Sequence, residues 1–139
     1  MDISKFGKIY QQLDDSKLHT LEKVYHPNVV FEDAAHRIEG WPALNAYLAN
    51  LYQNVQQCQF DIHHSQQEGD TGFVTWTMHL QHPRLNNGRV VQVQGVSHLM
   101  FSDGKVIYHR DYFDLGEMLY ENLPLIGKLI QAIKRRLGQ

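Results

Sequence analysis

GVSHLMFSDGKVIYHRDYFDLGE, residues 95–117, is the stretch that decides how this chain folds. Asp103-Gly104 stands between two apolar-rich arms, and Asp-Gly in that setting is the strongest short-range signal for a β-hairpin. Counting by twos along the second arm puts Ile107, His109, Asp111 and Phe113 on one face. Val106, Tyr108, Arg110 and Tyr112 fall on the other. An imidazole and a carboxylate two residues apart, bracketed by Ile and Phe, want a chemical explanation. Side chains at i and i+2 stand about 7 Å apart along a strand, so the pair can serve one small ligand, while a direct hydrogen bond between them is marginal. Asp114 has a duller expectation. It lies three residues ahead of Glu117 and an apolar run, a capping-box pattern, so it should start a short helix.

The period of two also runs backwards from the hairpin. Residues 89–101 place Val91, Val93, Gly95, Ser97, Leu99 and Phe101 opposite Val90, Gln92, Gln94, Val96, His98 and Met100. Before the loop at residues 83–88, Val74, Trp76, Met78 and Leu80 alternate with Phe73, Thr75, Thr77 and His79. Before the turn at Glu68-Gly69-Asp70, Cys58, Phe60, Ile62 and His64 alternate with Gln57, Gln59, Asp61 and His63. Four strands with one apolar face each predict an antiparallel sheet covered by helices on one side. Strands this long must coil, and Gly95 in mid-strand predicts a bulge or bend.

Further upstream the period becomes helical. Leu44, Tyr47, Leu48, Leu51, Tyr52 and Val55 share a face behind Pro42, which suits a first helical turn. A short hairpin is expected at residues 28–33 and 36–39. Phe6, Ile9, Tyr10 and Leu13 mark an N-terminal helix, broken at Asp14-Asp15-Ser16 and resumed through Leu18, Leu21, Val24 and Tyr25 as far as Pro27. At the other end, Leu125, Ile126, Leu129, Ile130, Ile133 and Leu137 form an amphipathic stripe on a helix carrying Lys128, Lys134, Arg135 and Arg136. The expected fold is α+β: a cone-shaped, strongly curved antiparallel sheet wrapped by N-terminal helices, in one domain spanning 1–139. A C-terminal helical extension covers about residues 115–137.

Bulk properties exclude several classes. The formal net charge is -2, so no nucleic acid is expected as a partner. No apolar run approaches a membrane span and the N-terminus lacks a signal-like segment, which with a single cysteine predicts a cytoplasmic protein. Cys58, in an apolar strand pattern without flanking cations, reads as a buried structural thiol.

The order of elements, with Phe31-Glu32-Asp33, His36-Arg37-Ile38-Glu39-Gly40 and the Asp103-Gly104-Lys105-Val106-Ile107 to His109-Arg110-Asp111-Tyr112-Phe113-Asp114 ending, resembles the nuclear transport factor two-like superfamily. Within it, the chain is most similar to the SnoaL-like group, relatives of polyketide cyclases and ketosteroid isomerases. The resemblance spans about residues 6–114. It implies a cone whose pocket is lined by the concave face of the sheet. Limonene epoxide hydrolases, on the same fold, use an Asp at the position of Asp111 together with an Arg-x-Asp on a preceding strand. Here that place holds Trp76-Thr77-Met78, so the resemblance does not bring their triad. The isomerase pattern of a base near the first short strand plus an acid donor maps loosely onto Asp33 and Asp111.

With the apolar face inward, the expected pocket collects Phe31, Asp33, His36, Phe60, Ile62, Trp76, Met78, Ser97, Leu99, His109 and Asp111, for a small apolar ligand and with no cofactor. One reading is acid–base chemistry on an apolar carbonyl or ring substrate. Asp111 would be the base, His109 or His36 the proton partner, and Trp76 N–H or Tyr47 the donor to an oxyanion. The other is a non-catalytic ligand-binding or interaction module, with Asp111 serving structural hydrogen bonds and Asp33 forming a turn before Ala34-Ala35. His63, His79 and His98 share the outer face, but no carboxylate or Cys falls at ligand spacing with them, so no metal is expected. That outer face, rich in Val, Tyr and His, predicts a homodimer. The C-terminal helix is expected to pack its stripe against the cone. Contact with a membrane surface or a protein groove is the alternative.

Overall fold

The computed structural model describes residues 1–116, 118 and 126–138. It opens with helix α1 (Ile3–Gln11), whose N-terminus is capped by Asp2 accepting from the Lys5 amide at 2.9 Å. After the break at Asp14 comes a 3₁₀ helix (Asp15–Lys23), not a resumed α-helix. Strand β1 (Tyr25–Glu32), β2 (Arg37–Glu39), α2 (Trp41–Asn54), β3 (Gln57–Glu68), β4 (Thr71–Gln81), β5 (Val91–Ser102), β6 (Lys105–Phe113) and α3 (Ile126–Leu137) follow. Tyr25 therefore begins a strand. Its alternation with Val29 and Phe31, both buried, overrides the helical spacing that ties it to Leu21.

The six strands form one open sheet in the order β2-β1-β6-β5-β4-β3. Every pairing is antiparallel except β1 with β6, which run parallel, with a register shift between Tyr25 and Val30 where Pro27 lacks an N–H. The β5–β6 turn has the expected chemistry, with Asp103 at φ 54° and Gly104 at φ 73°.

Two bulges correct the strict count by twos. Met100 pairs with Tyr108 but Phe101 with Val106, so Ile107 is the extra residue. Val106 is thereby turned fully inward instead of outward. On β3, Ile62 pairs with Trp76 but His64 with Thr75, which sends His64 to the outer face rather than the apolar one. Gly95 is not a bulge. It pairs with both Trp76 and Phe113, and a Cβ there would meet the indole Cη2 at 2.3 Å. The glycine is needed because the Trp76 ring lies across its backbone.

The inner face of the sheet packs against α1, α2 and the 3₁₀ helix around Phe6, Leu21, Tyr25, Val29, Leu44, Val74, Leu99 and Val106. A second cluster, Cys58, Leu80, Leu85, Val91 and Val93, closes the far end. Burial pushes the Cys58 thiol up to about 11.

Helix α3 departs from expectation. Its stripe does not pack onto the sheet: Leu129 is 62% exposed, Ile133 48% and Leu137 82%. Lys134 Nζ reaches Asp114 Oδ2 at 2.8 Å. The Asp114 carbonyl accepts from the Met118 amide at 3.0 Å, as a helix start requires. The capping role of Glu117, and Leu125, lie outside the described residues. No helix among the described residues is long and apolar enough to cross a membrane.

Candidate active site

Polar side chains on the inner face join into one chain across five elements. Trp76 Nε1 on β4 donates to Ser97 Oγ on β5 at 2.9 Å, and Ser97 Oγ donates to Asp111 Oδ1 on β6 at 2.5 Å. Asp111 Oδ1 also lies 2.6 Å from His109 Nε2. The other imidazole nitrogen, Nδ1, is 2.8 Å from the Tyr25 hydroxyl on β1, itself 2.5 Å from the Tyr10 hydroxyl on α1. The spacing that makes a direct His109–Asp111 bond marginal on a flat strand is overcome here. The bulge at Ile107 lies just before the pair, and local twist brings the two side chains together.

His109 is only 2% exposed, with Phe6 and Phe31 edge-on to it and Tyr25 stacked on it, at centroid distances of 5.6, 4.9 and 6.0 Å. Burial in this aromatic cage raises the pKa of Tyr10 and of Tyr25 far above the ordinary phenol value, so both hydroxyls keep their protons. The proton inventory then has two self-consistent forms. With a neutral imidazole, Nε2–H donates to Asp111 and Tyr25 donates to Nδ1. With an imidazolium, Nδ1–H donates to Tyr25 and the tyrosine bonds run the other way. Both hydrogen bonds to Asp111 fall on Oδ1, so Oδ2 accepts from no described residue.

A cavity of about 10 Å³ lies against this chain, lined by Phe6, Tyr10, Phe60, Ile62, Val74, Trp76, Ser97, His109 and Asp111. That is room for about one water, so the expected hollow is nearly filled by its own walls. On the far side of Ile62, a surface groove of about 200 Å³ runs between α1 and β3, lined by Ile3, Gly7, Lys8, Gln11 and Ser65 among others.

The structure brings together Asp111, His109, Trp76, Ser97, Phe60 and Ile62 of the sequence-predicted set. Phe31 and Leu99 lie behind His109, the first by ring contact and the second as its cross-strand partner. Met78 packs between the two core clusters. Asp33 and His36 do not line the cavity. Asp33 Oδ1 accepts from the Ala35 and His36 amides, both at 2.8 Å, which is the turn-forming geometry of an Asx motif. His36 Nδ1 bonds the same carboxylate at 3.1 Å, and the Tyr47 hydroxyl reaches its other oxygen at 3.5 Å. Trp76 N–H is committed to Ser97, so neither it nor Tyr47 is a free oxyanion donor.

Tyr10 and Tyr25 were missing from that set. The signal was present for Tyr25, whose odd-number parity matches Val29 and Phe31. Outside, His79 Nε2 pairs with Asp61 Oδ2 at 2.7 Å, so a carboxylate does reach the outer histidines, contrary to expectation. Among the described residues, no three His, Cys, Asp or Glu side chains converge as metal ligands.

An open, curved sheet with its polar chain facing α1 is the ketosteroid isomerase-like, nuclear transport factor two-like fold. The SnoaL-like domain profile matches residues 7–109, most of the chain, and the protein belongs to that family. Solved structures share the fold at low identity. A protein of ketosteroid isomerase-like fold from Catenulispora acidiphila, in complex with trimethylamine, gives a TM-score of 0.72 at 14% identity, covering 88% of this chain and 92% of that one. An epoxide hydrolase from M. tuberculosis, of the LEH-like type, gives 0.69 at 21%, covering 94% and 92%. A de novo designed protein with a curved β-sheet gives 0.63 at 18%, covering 96% and 94%. Proteins of such unlike description share the fold, so the fold alone does not fix an activity. No curated protein matches the sequence.

Proposed function

We propose that this protein holds a small apolar molecule bearing a carbonyl or a related ring against Asp111 and moves a proton on it, an isomerase- or cyclase-type acid–base reaction. The observation that carries the reading is the division of labour on one carboxylate. Oδ1 is fixed by Ser97 and His109, while Oδ2 is left without a described partner. A carboxylate so held is oriented and has one oxygen ready to take a proton from carbon. Tyr10 lines the cavity and its hydroxyl keeps its proton; in the imidazolium form, where Tyr25 donates to it, that O–H is left to donate to a developing enolate oxygen. His109 links that donor to the base through Tyr25, and its neutral and protonated forms let the chain re-sort hydrogens as charge moves. No arginine among the described residues contacts Asp111, so the reading excludes the Arg-assisted epoxide opening that the fold elsewhere supports.

A ligand of useful size must displace side chains, because the cavity holds about one water. The wall to move is Phe6 and Ile62, which separate the cavity from the groove between α1 and β3. The test is hydrogen–deuterium exchange at carbon next to the carbonyl, for a panel of apolar ketones and lactones in heavy water. The wild-type chain should accelerate exchange, and Asp111→Asn should lose about 10²–10⁴ of that rate with the melting temperature nearly unchanged. Equal exchange by the variant would end the base assignment.

One observation favours a second reading, a non-catalytic binding or interaction module: the filled hollow. Phe73, Met100 and Tyr112 are exposed on the outer sheet face, and we read that patch as the contact between two copies. The single, buried cysteine suits a cytoplasmic setting. In this reading Asp111→Asn is tolerated, whereas Ser97→Phe, which fills the cavity, removes ligand affinity.

A further inference from the structure

We infer that α3 is an in-plane anchor for anionic lipid surfaces. At about 100° per residue, Leu129, Ile130, Ile133 and Leu137 fall within an arc of about 100°. Lys134 stands about 40° beyond one edge of that arc and Arg136 about 20° beyond the other, with Lys128 and Arg135 on the opposite side. Residues 126–139 contain these four cations and no Asp or Glu. The chain has thirteen Lys and Arg against fifteen Asp and Glu, so the rest keeps nine cations against all fifteen carboxylates. The helix is thus a concentrated positive element on an acidic body, and Leu129, Ile133 and Leu137 of its apolar stripe are turned to solvent, with Ile130 half-buried.

Of the surfaces that could cover such a stripe, lipid fits best. The chain's own sheet leaves it exposed although Lys134 is tied to Asp114. The apolar outer sheet face of a second copy offers no charge match. It presents Arg110 and the imidazoles of His63, His79 and His98. Glu32 is engaged by Arg37, Arg110 and Tyr108 and Asp61 by His79, which leaves Glu68, beside Thr71 and Met100, as a single carboxylate among the described residues against those four basic side chains. An anionic headgroup layer supplies both an apolar bed for Leu129, Ile133 and Leu137 and phosphates for the flanking cations, whose stems snorkel along the stripe. Such a helix lies in the interface and does not span it.

The experiment is co-sedimentation of the full chain with vesicles of mixed phosphatidylcholine and phosphatidylglycerol, against vesicles of phosphatidylcholine alone, at low and high salt. Binding is expected on the mixed vesicles only, with release by salt. Arg135→Gln with Arg136→Gln should weaken it on the order of thirtyfold. Leu129→Ser with Ile133→Ser should abolish it at any salt, with circular dichroism verifying that the sheet still melts cooperatively. Equal binding to neutral vesicles, or none to either, overturns the inference. So does a concentration-dependent dimer that the Leu129 and Ile133 changes dissolve, since a second copy would then cover the stripe.

Discussion

Two carboxylates meet strand β6 from opposite sides of the sheet, and their settings differ in kind. Outside, Glu32 takes Arg37 on one oxygen and Arg110 at 3.0 Å on the other, where the Tyr108 hydroxyl also donates at 2.8 Å. Hydrogen bonding by Tyr108, Arg37 and Arg110 holds its carboxyl below the ordinary range. Inside, Asp111 has no cation of fixed charge among the described residues. Its partners are a serine hydroxyl and an imidazole, both on one oxygen. A carboxylate pinned by guanidinium groups gains nothing from accepting a proton, whereas one held by groups that can themselves gain or lose a hydrogen can exchange it. Strand alternation is what keeps the two systems apart, since Tyr108 and Arg110 necessarily face away from His109 and Asp111.

The largest test of that contrast swaps charge for amide on each side. Asp111→Asn should remove proton transfer by about 10²–10⁴ while barely moving the melting temperature. Glu32→Gln should do the reverse, leaving exchange rates in place and lowering the melting temperature, because Arg37 and Arg110 lose their shared anion. If Glu32→Gln cost as much activity as Asp111→Asn, the two faces would be one coupled system and the division would fail.

A smaller effect is expected from the wall of the site. Gly95→Ala puts a methyl group where the Trp76 indole lies, with backbone on one side and a buried ring on the other. Overpacking of this kind costs about 1–3 kcal/mol. Trp76 must shift, so its bond to Ser97, and through Ser97 the orientation of Asp111, should loosen together. Thermal unfolding and the exchange assay should therefore both respond. A stable variant with normal exchange would mean that the indole has room elsewhere and does not position the base.

What could be read from the chain follows from how local each signal is. The hairpin at Asp103-Gly104, the helix behind Pro42 and the alternation of β4 and β5 are set by neighbours in sequence, and each lies where the spacing predicts. The bulges at Ile107 and between Ile62 and His64 were not legible, because an extra residue leaves no local mark and is fixed only by the partner strand. They decide that Val106 points in, that His64 points out, and how His109 meets Asp111. The roles of Tyr10 and Tyr25 were hidden for a related reason, although parity with Val29 and Phe31 marks Tyr25 as inward-facing. One sits on a helix face and the other at the foot of a parallel strand, and only their convergence on His109 gives them a role. Gly95 suggests a bulge or bend because nothing in sequence says that the indole of Trp76, its direct partner on the next strand, needs its space. The stripe of α3 was legible as a stripe, but amphipathic spacing states only that a face wants covering, not what covers it.

The gentlest test uses pH and separates the two sides by the limb on which each acts. Glu32 has a folded pKa below its unfolded value of 4.5, so its contribution to stability is present above that pH and is lost as pH falls. The inner tyrosines have the opposite sign. Tyr10 and Tyr25 are raised from 10.0 by burial, so their contribution is intact below pH 10 and is lost as pH rises through the folded values. Tyr47, raised to about 12, and Cys58, raised to about 11, add to the same limb. Tyr25→Phe should make the alkaline decline shallower by about 1.4 kcal/mol per pH unit above pH 10, and leave the acid limb alone. Glu32→Gln should flatten part of the acid limb and leave the alkaline one alone. Chemical denaturation repeated across pH reads both, and a Tyr25→Phe variant with an unchanged alkaline slope would mean that the inner hydroxyl already ionises freely, which the closed cage around His109 does not allow.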